Sequence, residues 1–489
     1  MRCAGRHRRP SAALVAALWL STGVGTALAQ PITDNDYRID MVQGPVLGSG
    51  RIVGLGGAYS AIAEGIDGVP WNPAAYGSRT LWEQDWFEWE LTAGILFPGA
   101  FSGDDFFNTG EVDGAVFDRF IFLSFGFRLQ FGDVGFGGLP RLSLYQLTPP
   151  GETEPVNVSF IVGNYGIAHQ FLNGQLVLGF GARTASLDIS RPDGELVSFT
   201  STGPEVGGLL RLAEQPWRLG VAFRSAVVDD RPREEGVCPD PMVTCMSSGF
   251  VLPDEVHMPW EVQVGFALQI GNRPFNRVFV NPDDVDRDLR AGVGMERWER
   301  ERAQVELEMA RAGETPPPPD PYRWLPRRAG EPAFHAAQEA RREADEEEIE
   351  SLADAAEQAR DEEVKALTRL YLLISAEVLI TGPTPSGVGV QHFLQQQGVP
   401  SGEEATYGFR LGIEGEPWAG RLKLRGGGYL EPSRIAGVGY RLHGTAGFDL
   451  RLFSWDLFGL FDDFDVRAGA TVDVAERFFD WGIGVGFWH

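Results

Sequence analysis

The sequence predicts an all-β fold: a transmembrane antiparallel barrel of about fourteen strands, with a separate segment ahead of it and a helical insertion within it. Three observations carry this. Apolar residues recur at every second position in segment after segment, the period of a strand with one greasy face. The links between those segments alternate between short turns and long polar loops. Past residue 30 no apolar run approaches the ~20 residues that a spanning helix needs, so a barrel is the way left to satisfy every backbone group in a bilayer.

Residues 1–29 have the form of a secretory signal. Arg2, Arg6, Arg8 and Arg9 make a basic start, the run 12–20 is apolar, and Ala27-Leu28-Ala29 supplies a small-x-small site, so cleavage is expected before Gln30. Cys3 lies in the basic region and not at the cleavage point, which argues against a lipoprotein. Residues 30–80 follow as a segment of different texture, rich in small residues. Its centre reads Gly54-Leu55-Gly56-Gly57-Ala58-Tyr59-Ser60-Ala61-Ile62-Ala63-Glu64-Gly65, then Val69-Pro70-Trp71-Asn72-Pro73-Ala74-Ala75. A phosphate-binding loop is discounted, because no lysine follows and no strand–helix context supports one.

The first part of the barrel spans 81–271. Phe87, Trp89, Leu91, Ala93 and Ile95 alternate with Glu88, Glu90, Thr92 and Gly94. Ile121 to Phe131 does the same, as do Trp217 to Arg224 and Val262 to Ile270, with further segments near 136–147, 158–171, 175–190 and 196–212. The second part, 368–489, adds segments near 369–381, 405–415, 419–430, 438–453 and 464–474. It closes on Phe479, Trp481, Ile483, Val485 and Phe487 set between Asp480, Gly482, Gly484 and Gly486. Gly132-Asp133, Asn173-Gly174, Glu214-Gln215-Pro216 and Glu416-Pro417-Trp418 are the short turns, expected on the periplasmic side with both termini.

One link breaks the alternation. Residues 272–367 fall where a short turn is due, yet 298–312 and 333–367 are rich in Ala, Glu and Arg, separated by a proline-rich spacer at 315–321. This acidic helical insert reads either as an arm that docks a periplasmic protein partner through residues 285–365 or as a solvated hairpin, its apolar stripe being thin.

Composition excludes more than it assigns. A formal net charge of −26 argues against nucleic acid as a partner. Cys238 and Cys245, close together in a proline-rich stretch of an exported chain, are expected to form a disulfide; with no His/Cys cluster beside them, no metal site is expected. No cofactor is expected either.

The stretch G-x-G-G-A-Y-x-A-x-A followed by Asn72-Pro73-Ala74 resembles the fatty-acid transport (FadL, or OMPP1/TodX) family of outer-membrane proteins. The resemblance implies that this segment is a hatch plugging a fourteen-stranded barrel, with Gly54, Gly56, Gly57, Ala58, Asn72, Pro73 and Ala74 as hatch residues. Phe223-Arg224-Ser225, Leu252-Pro253 and the strand from Val262 resemble a second family stretch, while the long helical insert departs from the usual pattern. The hatch motif is equally similar to that of PorV-type barrels, which serve protein secretion.

If the apolar face meets lipid, the alternate positions face the lumen. They include Arg128, Arg183, Arg218, Arg224, Arg410, Arg421, Lys423, Arg425, Arg441, Arg451 and Arg467, with Glu90, Glu205, Glu261, Glu377, Glu414, Asp449 and Asp473 among the acids. Arg421, Lys423 and Arg425 are placed in one row at period two. These arginines read either as receptors for an anionic head group or as a ladder of Arg–acid pairs tying hatch to wall. His169 and His443 are inward candidates without a serine and acid at catalytic spacing, so no enzyme is expected. The expected function is passive uptake of hydrophobic small molecules, such as long-chain fatty acids or hydrocarbons, through the outer membrane of a Gram-negative bacterium. The alternatives are a barrel that docks a protein partner without transporting, as a PorV-like shuttle, and a purely structural barrel with a permanently closed hatch.

Overall fold

The computed structural model describes residues 30–83, 85–99, 105–111, 116–148, 154–192, 194–229, 244–247, 249–313, 332–455 and 464–487. The expected signal segment 1–29 and Cys238 lie outside these residues. Cys245 is disulfide-bonded.

Fourteen antiparallel strands close into one barrel. They are β1 (Phe87–Leu96), β2 (Val116–Phe131), β3 (Val134–Thr148), β4 (Val156–Phe171), β5 (Leu176–Arg191), β6 (Gly194–Leu210) and β7 (Trp217–Arg224), then β8 (Glu261–Ile270), β9 (Leu372–Thr381), β10 (Thr406–Trp418), β11 (Leu422–Glu431), β12 (Arg441–Trp455), β13 (Phe464–Ala475) and β14 (Phe478–Phe487). Each strand pairs with its sequence neighbour, and β1 pairs with β14 to close the seam, from Thr92↔Gly486 to Leu96↔Gly482. The period-two pattern sorts the side chains. Phe125 (54% exposed), Phe180 (59%), Leu411 (62%) and Ile483 (52%) point outward, while Arg128, Arg183, Arg224 and Glu377 on the same walls are buried inside. Exposure of large apolar side chains on this scale would be a liability in water; on a closed barrel it is the lipid-facing belt.

The long and short connections segregate to opposite ends. At the long-loop end, Arg38–Asp40 forms a short strand that pairs in parallel with both Glu255–Met258 and Gly387–Gly389, which belong to two different long loops. The chain therefore starts its described course at the long-loop mouth, not on the short-turn side where parity had placed it. A free segment is not bound by strand parity, and here it finds open strand edges in the loops. Asp40 fixes it there, accepting hydrogen bonds from Thr384, Ser401 and Arg434. The chain then runs down the lumen through α1 (Gly50–Gly54) and two short 3-10 turns, Ile66–Gly68 and Pro73–Gly77. It leaves at the short-turn end, where Arg79 donates to the carbonyls of Trp86 and Gly132.

The insertion between β8 and β9 holds two long helices, α2 (Pro282–Ala312) and α3 (Pro332–Lys365), joined face to face by contacts such as Arg297–Asp345 at 2.7 Å. The residues that lead into α2 sit against the short-turn end of the barrel. Asn276 donates to the carbonyls of Leu212, Gln215 and Trp217, and Trp86 donates to Asp283. The start of the insert is thus anchored to the barrel; α2 and α3 carry most of its exposed surface.

Candidate functional site: a plugged lumen and an arginine-lined chamber

Residues 44–80 fill the lumen, and the wall is shaped to receive them. Gly56 and Gly57 adopt φ of +60° and +75°, a left-handed backbone that costs a side-chain-bearing residue 1–2 kcal/mol by rough estimate. Both press on the wall: a methyl on Gly56 would lie 2.7 Å from the backbone nitrogen of Gly428. The wall answers with glycines of its own. A methyl on Gly207 would meet Asn72 Oδ1 at 2.1 Å, and one on Gly220 would meet the Ser60 carbonyl oxygen at 2.0 Å. The lumenal positions opposite the hatch therefore hold glycine because hatch backbone occupies the side-chain space.

Asn72 organises the lower half of the hatch. Its Oδ1 accepts from the Ala74 N–H, and its Nδ2 donates to the carbonyls of Ser60 and, across to the wall, Gly208. Pro73 follows it at the first position of a 3-10 turn, where a missing N–H costs nothing. Gly54, Ala58 and Ala74 are buried in the same packing.

Charged groups bind the plug to the wall in pairs. Arg218 reaches Glu64 at 2.7 Å; Arg51 reaches Glu414 at 2.8 Å and Glu64 at 3.3 Å. Arg128 pairs with Glu83 at 2.5 Å, and Arg467 with Asp67 at 3.0 Å. Burial raises the Glu64 carboxyl, but Arg218 and Arg51 outweigh it and bring the group down to about 2. Other candidates pair within the wall: Arg183 with Glu261, Arg224 with Glu205, Arg410 with Glu377, Arg425 with Glu414 and Asp449, and Arg441 with Glu431. The ladder of Arg–acid pairs is what the geometry contains at these positions.

Two sequence expectations are corrected. Arg421 does not join a row with Lys423 and Arg425. A register shift between Gly415 and Trp418 lengthens β10, so the turn falls later and Arg421 sits on it, exposed, while Lys423 and Arg425 are buried inside. His169 faces outward and packs on Phe171 with ring centroids 4.6 Å apart, so it is not a lumenal group. His443 is lumenal and wedged between Glu431 (2.7 Å) and Asp473 (2.8 Å).

Between the hatch and the long-loop end lies a chamber of about 140 Å³. Its apolar lining includes Leu47, Trp71, Phe122, Phe160, Val162 and Leu379. Arginines are interleaved with them: Arg141, Arg183, Arg224, Arg410 and Arg434, with Glu261 also in the lining, and Arg141 lies directly across from Val162. Four of these have a carboxylate in contact, but Arg141 has no carboxylate within ion-pair distance among the described residues. Its Nη2 donates to Asn164 Oδ1 at 3.2 Å, and its guanidinium lies over the Trp71 ring at 5.9 Å. Arg141 Nε, Arg183 Nε and Arg224 Nη1 are buried donors without a hydrogen-bond partner. Buried donors that stay unpaired cost about 1–3 kcal/mol each.

Sequence reasoning missed Arg141 and Arg434. Arg141 was findable: Leu142 and Leu144 alternate with Arg141 and Ser143, and the parity rule places the latter two inside. Arg434 lies in the loop between β11 and β12, where no periodicity exists to place a side chain.

No family model matches this chain, and no curated protein matches its sequence. Among solved structures, the fold resembles a FadL homologue from Pseudomonas aeruginosa at 10% identity and a TM-score of 0.45, covering 91% of this chain and 98% of that one. It also resembles the CymD monoaromatic hydrocarbon channel (9% identity, TM-score 0.44, 91% and 97% covered) and a TodX monoaromatic hydrocarbon channel mutant (10%, 0.43, 88% and 98%).

Proposed function

We propose that this protein is an outer-membrane channel for passive uptake of hydrophobic small molecules that carry an anionic end, long-chain fatty acids being the representative class. The observation that carries the reading is the mixed lining of the chamber: apolar side chains interleaved with arginines, of which Arg141 lacks a carboxylate partner among the described residues. A guanidinium with free N–H groups accepts a carboxylate through paired hydrogen bonds. The chamber is smaller than a typical drug-sized pocket, so it holds the head of a long molecule or the whole of a small one. Onward passage requires the hatch to shift, because its backbone fills the lumen below.

The test is equilibrium binding of dodecanoate and of dodecanol to the detergent-purified chain, with native mass spectrometry of whatever co-purifies. Arg141→Gln is expected to weaken dodecanoate about 10- to 100-fold, the worth of one charge-assisted hydrogen-bond pair, and to leave dodecanol unchanged. Equal loss for both would mean that the chamber has collapsed; no loss for either would place the head group elsewhere and sink the assignment.

A further inference from the structure

A second cluster of arginines lies at the opposite, short-turn end, beneath the hatch. Arg79, Arg211, Arg218 and Arg277 line a small cavity of about 20 Å³ together with Glu83, Phe275 and Phe279; Glu83 is taken up by Arg128 at 2.5 Å and by the Thr80 N–H at 2.9 Å. The hatch supplies Arg79, the barrel supplies Arg211 and Arg218, and the insert supplies Phe275, Arg277 and Phe279. Arg218 is neutralised by Glu64, and Arg277 reaches Glu363 at 2.8 Å near the surface. Arg211 has no such partner among the described residues. Its donors go to the neutral acceptors Gly174 O, Arg79 O and Gln170 Oε1. Arg79 is buried, its side chain 2% exposed, and its Nε and Nη1 have no hydrogen-bond partner, although Glu88 lies within ion-pair distance at 3.7 Å. Arg277 Nη1 is likewise unpartnered. Burial brings Arg79 down to about 10, and burial with repulsion from Arg218 brings Arg211 down to about 9, so their charge is held at a cost.

We infer that this cavity is an anion site, sized for a halide ion or a single carboxylate group, and that the insert completes it. A cavity of this size takes one water-sized occupant. Arg211 is a buried positive charge without an ion-pair partner among the described residues, and Arg79 and Arg277 add buried donors without a hydrogen-bond partner to the same lining, which calls for an acceptor there. Phe275 and Phe279 cover it: Phe275 lies against Arg218 (3.9 Å from guanidinium to ring) and Phe279 against Arg79 (4.2 Å). The site stands apart from the chamber above the hatch, so neither reading depends on the other. It gives the start of the insert a ligand-holding role that a docking arm or a solvated hairpin does not need.

The test is anomalous diffraction from crystals of the full chain grown in sodium bromide, with bromide as the probe. A peak between Arg79, Arg211 and Arg277 is expected, weakened in Arg277→Gln and lost in Arg211→Gln. Arg277→Gln removes a charge at the rim, so it keeps the test open if Arg211→Gln does not fold. A wild-type map without a peak there, or a peak equally strong in Arg277→Gln, overturns the site. Displacement of the bromide by sodium acetate assigns it to carboxylates as well; a peak that acetate leaves in place restricts it to halides. A peak beside Arg141 bears on the upper chamber alone.

Discussion

Glu377 on β9 accepts the backbone N–H of Ser60 at 2.8 Å, so a wall carboxylate holds the hatch by its main chain. The same Oε2 takes the N–H of Tyr59 at 3.1 Å, and Oε1 takes Arg410 at 2.7 Å. One fully buried side chain thus satisfies two hatch amides and one lumenal cation.

Glu377→Ala leaves Arg410 buried without its carboxylate and frees both amides. Removing one partner of a buried pair costs about 3–5 kcal/mol, and the loss here falls on hatch seating. We expect higher single-channel conductance in planar bilayers and faster hydrogen exchange over residues 57–62, with the barrel still assembled. A variant as tight as wild type would show that the hatch is held elsewhere.

Gly207→Ala and Gly208→Ala make a matched pair. A methyl on Gly207 runs into Asn72 Oδ1 and Pro73, whereas one on Gly208 meets nothing nearer than a Leu178 methyl at 3.5 Å. The first is expected to unseat the lower hatch and raise conductance; the second is expected to be silent. Overpacking of this kind costs about 1–3 kcal/mol.

The pH dependence follows from Glu64. Detached from Arg218 and Arg51 it would titrate near 4.5, and seated it titrates at about 2. Its contribution to seating is therefore whole above pH 4.5 and is lost progressively as pH falls toward 2, amounting to about 3 kcal/mol. Hydrogen exchange of the hatch, followed over that window, is expected to accelerate more in wild type than in Glu64→Gln. Identical profiles would show that Glu64 is not the titrating contact.

Excision of 282–365, keeping 272–281, is expected to leave the barrel folded. The anchoring contacts at Phe275 and Asn276 lie before α2 and are kept; the contact of Trp86 with Asp283, in the first turn of α2, is lost with the cut. Extending the cut through 273 strips Arg218 of its bonds to Phe275 and Asn276 and is expected to lower the thermal stability further.

The strands were legible because period-two burial is a local property: lipid on one side and a charged lumen on the other write it into each segment. The helical insert was legible for a similar reason, through helix-forming composition. What escaped was non-local. The length of β10 depends on a register shift against β11, and that shift moved Arg421 onto a turn. The parallel pairing of Arg38–Asp40 with two loops more than two hundred residues away has no period to betray it. The glycines facing the hatch are visible in the sequence, but their reason appears once Ser60, Asn72 and Pro73 lie against them.

Residues 38–80 pass from one mouth of the barrel to the other like a thread through a bead. Drawing Trp71 and Tyr76 up a finished bore would mean sliding them past every charged pair that lines it. Wrapping the sheet around a thread already in place avoids that, and the seam between β1 and β14 joins the first barrel strand of the chain to the last. On this topology the hatch lies enclosed within the ring that the β1–β14 seam closes.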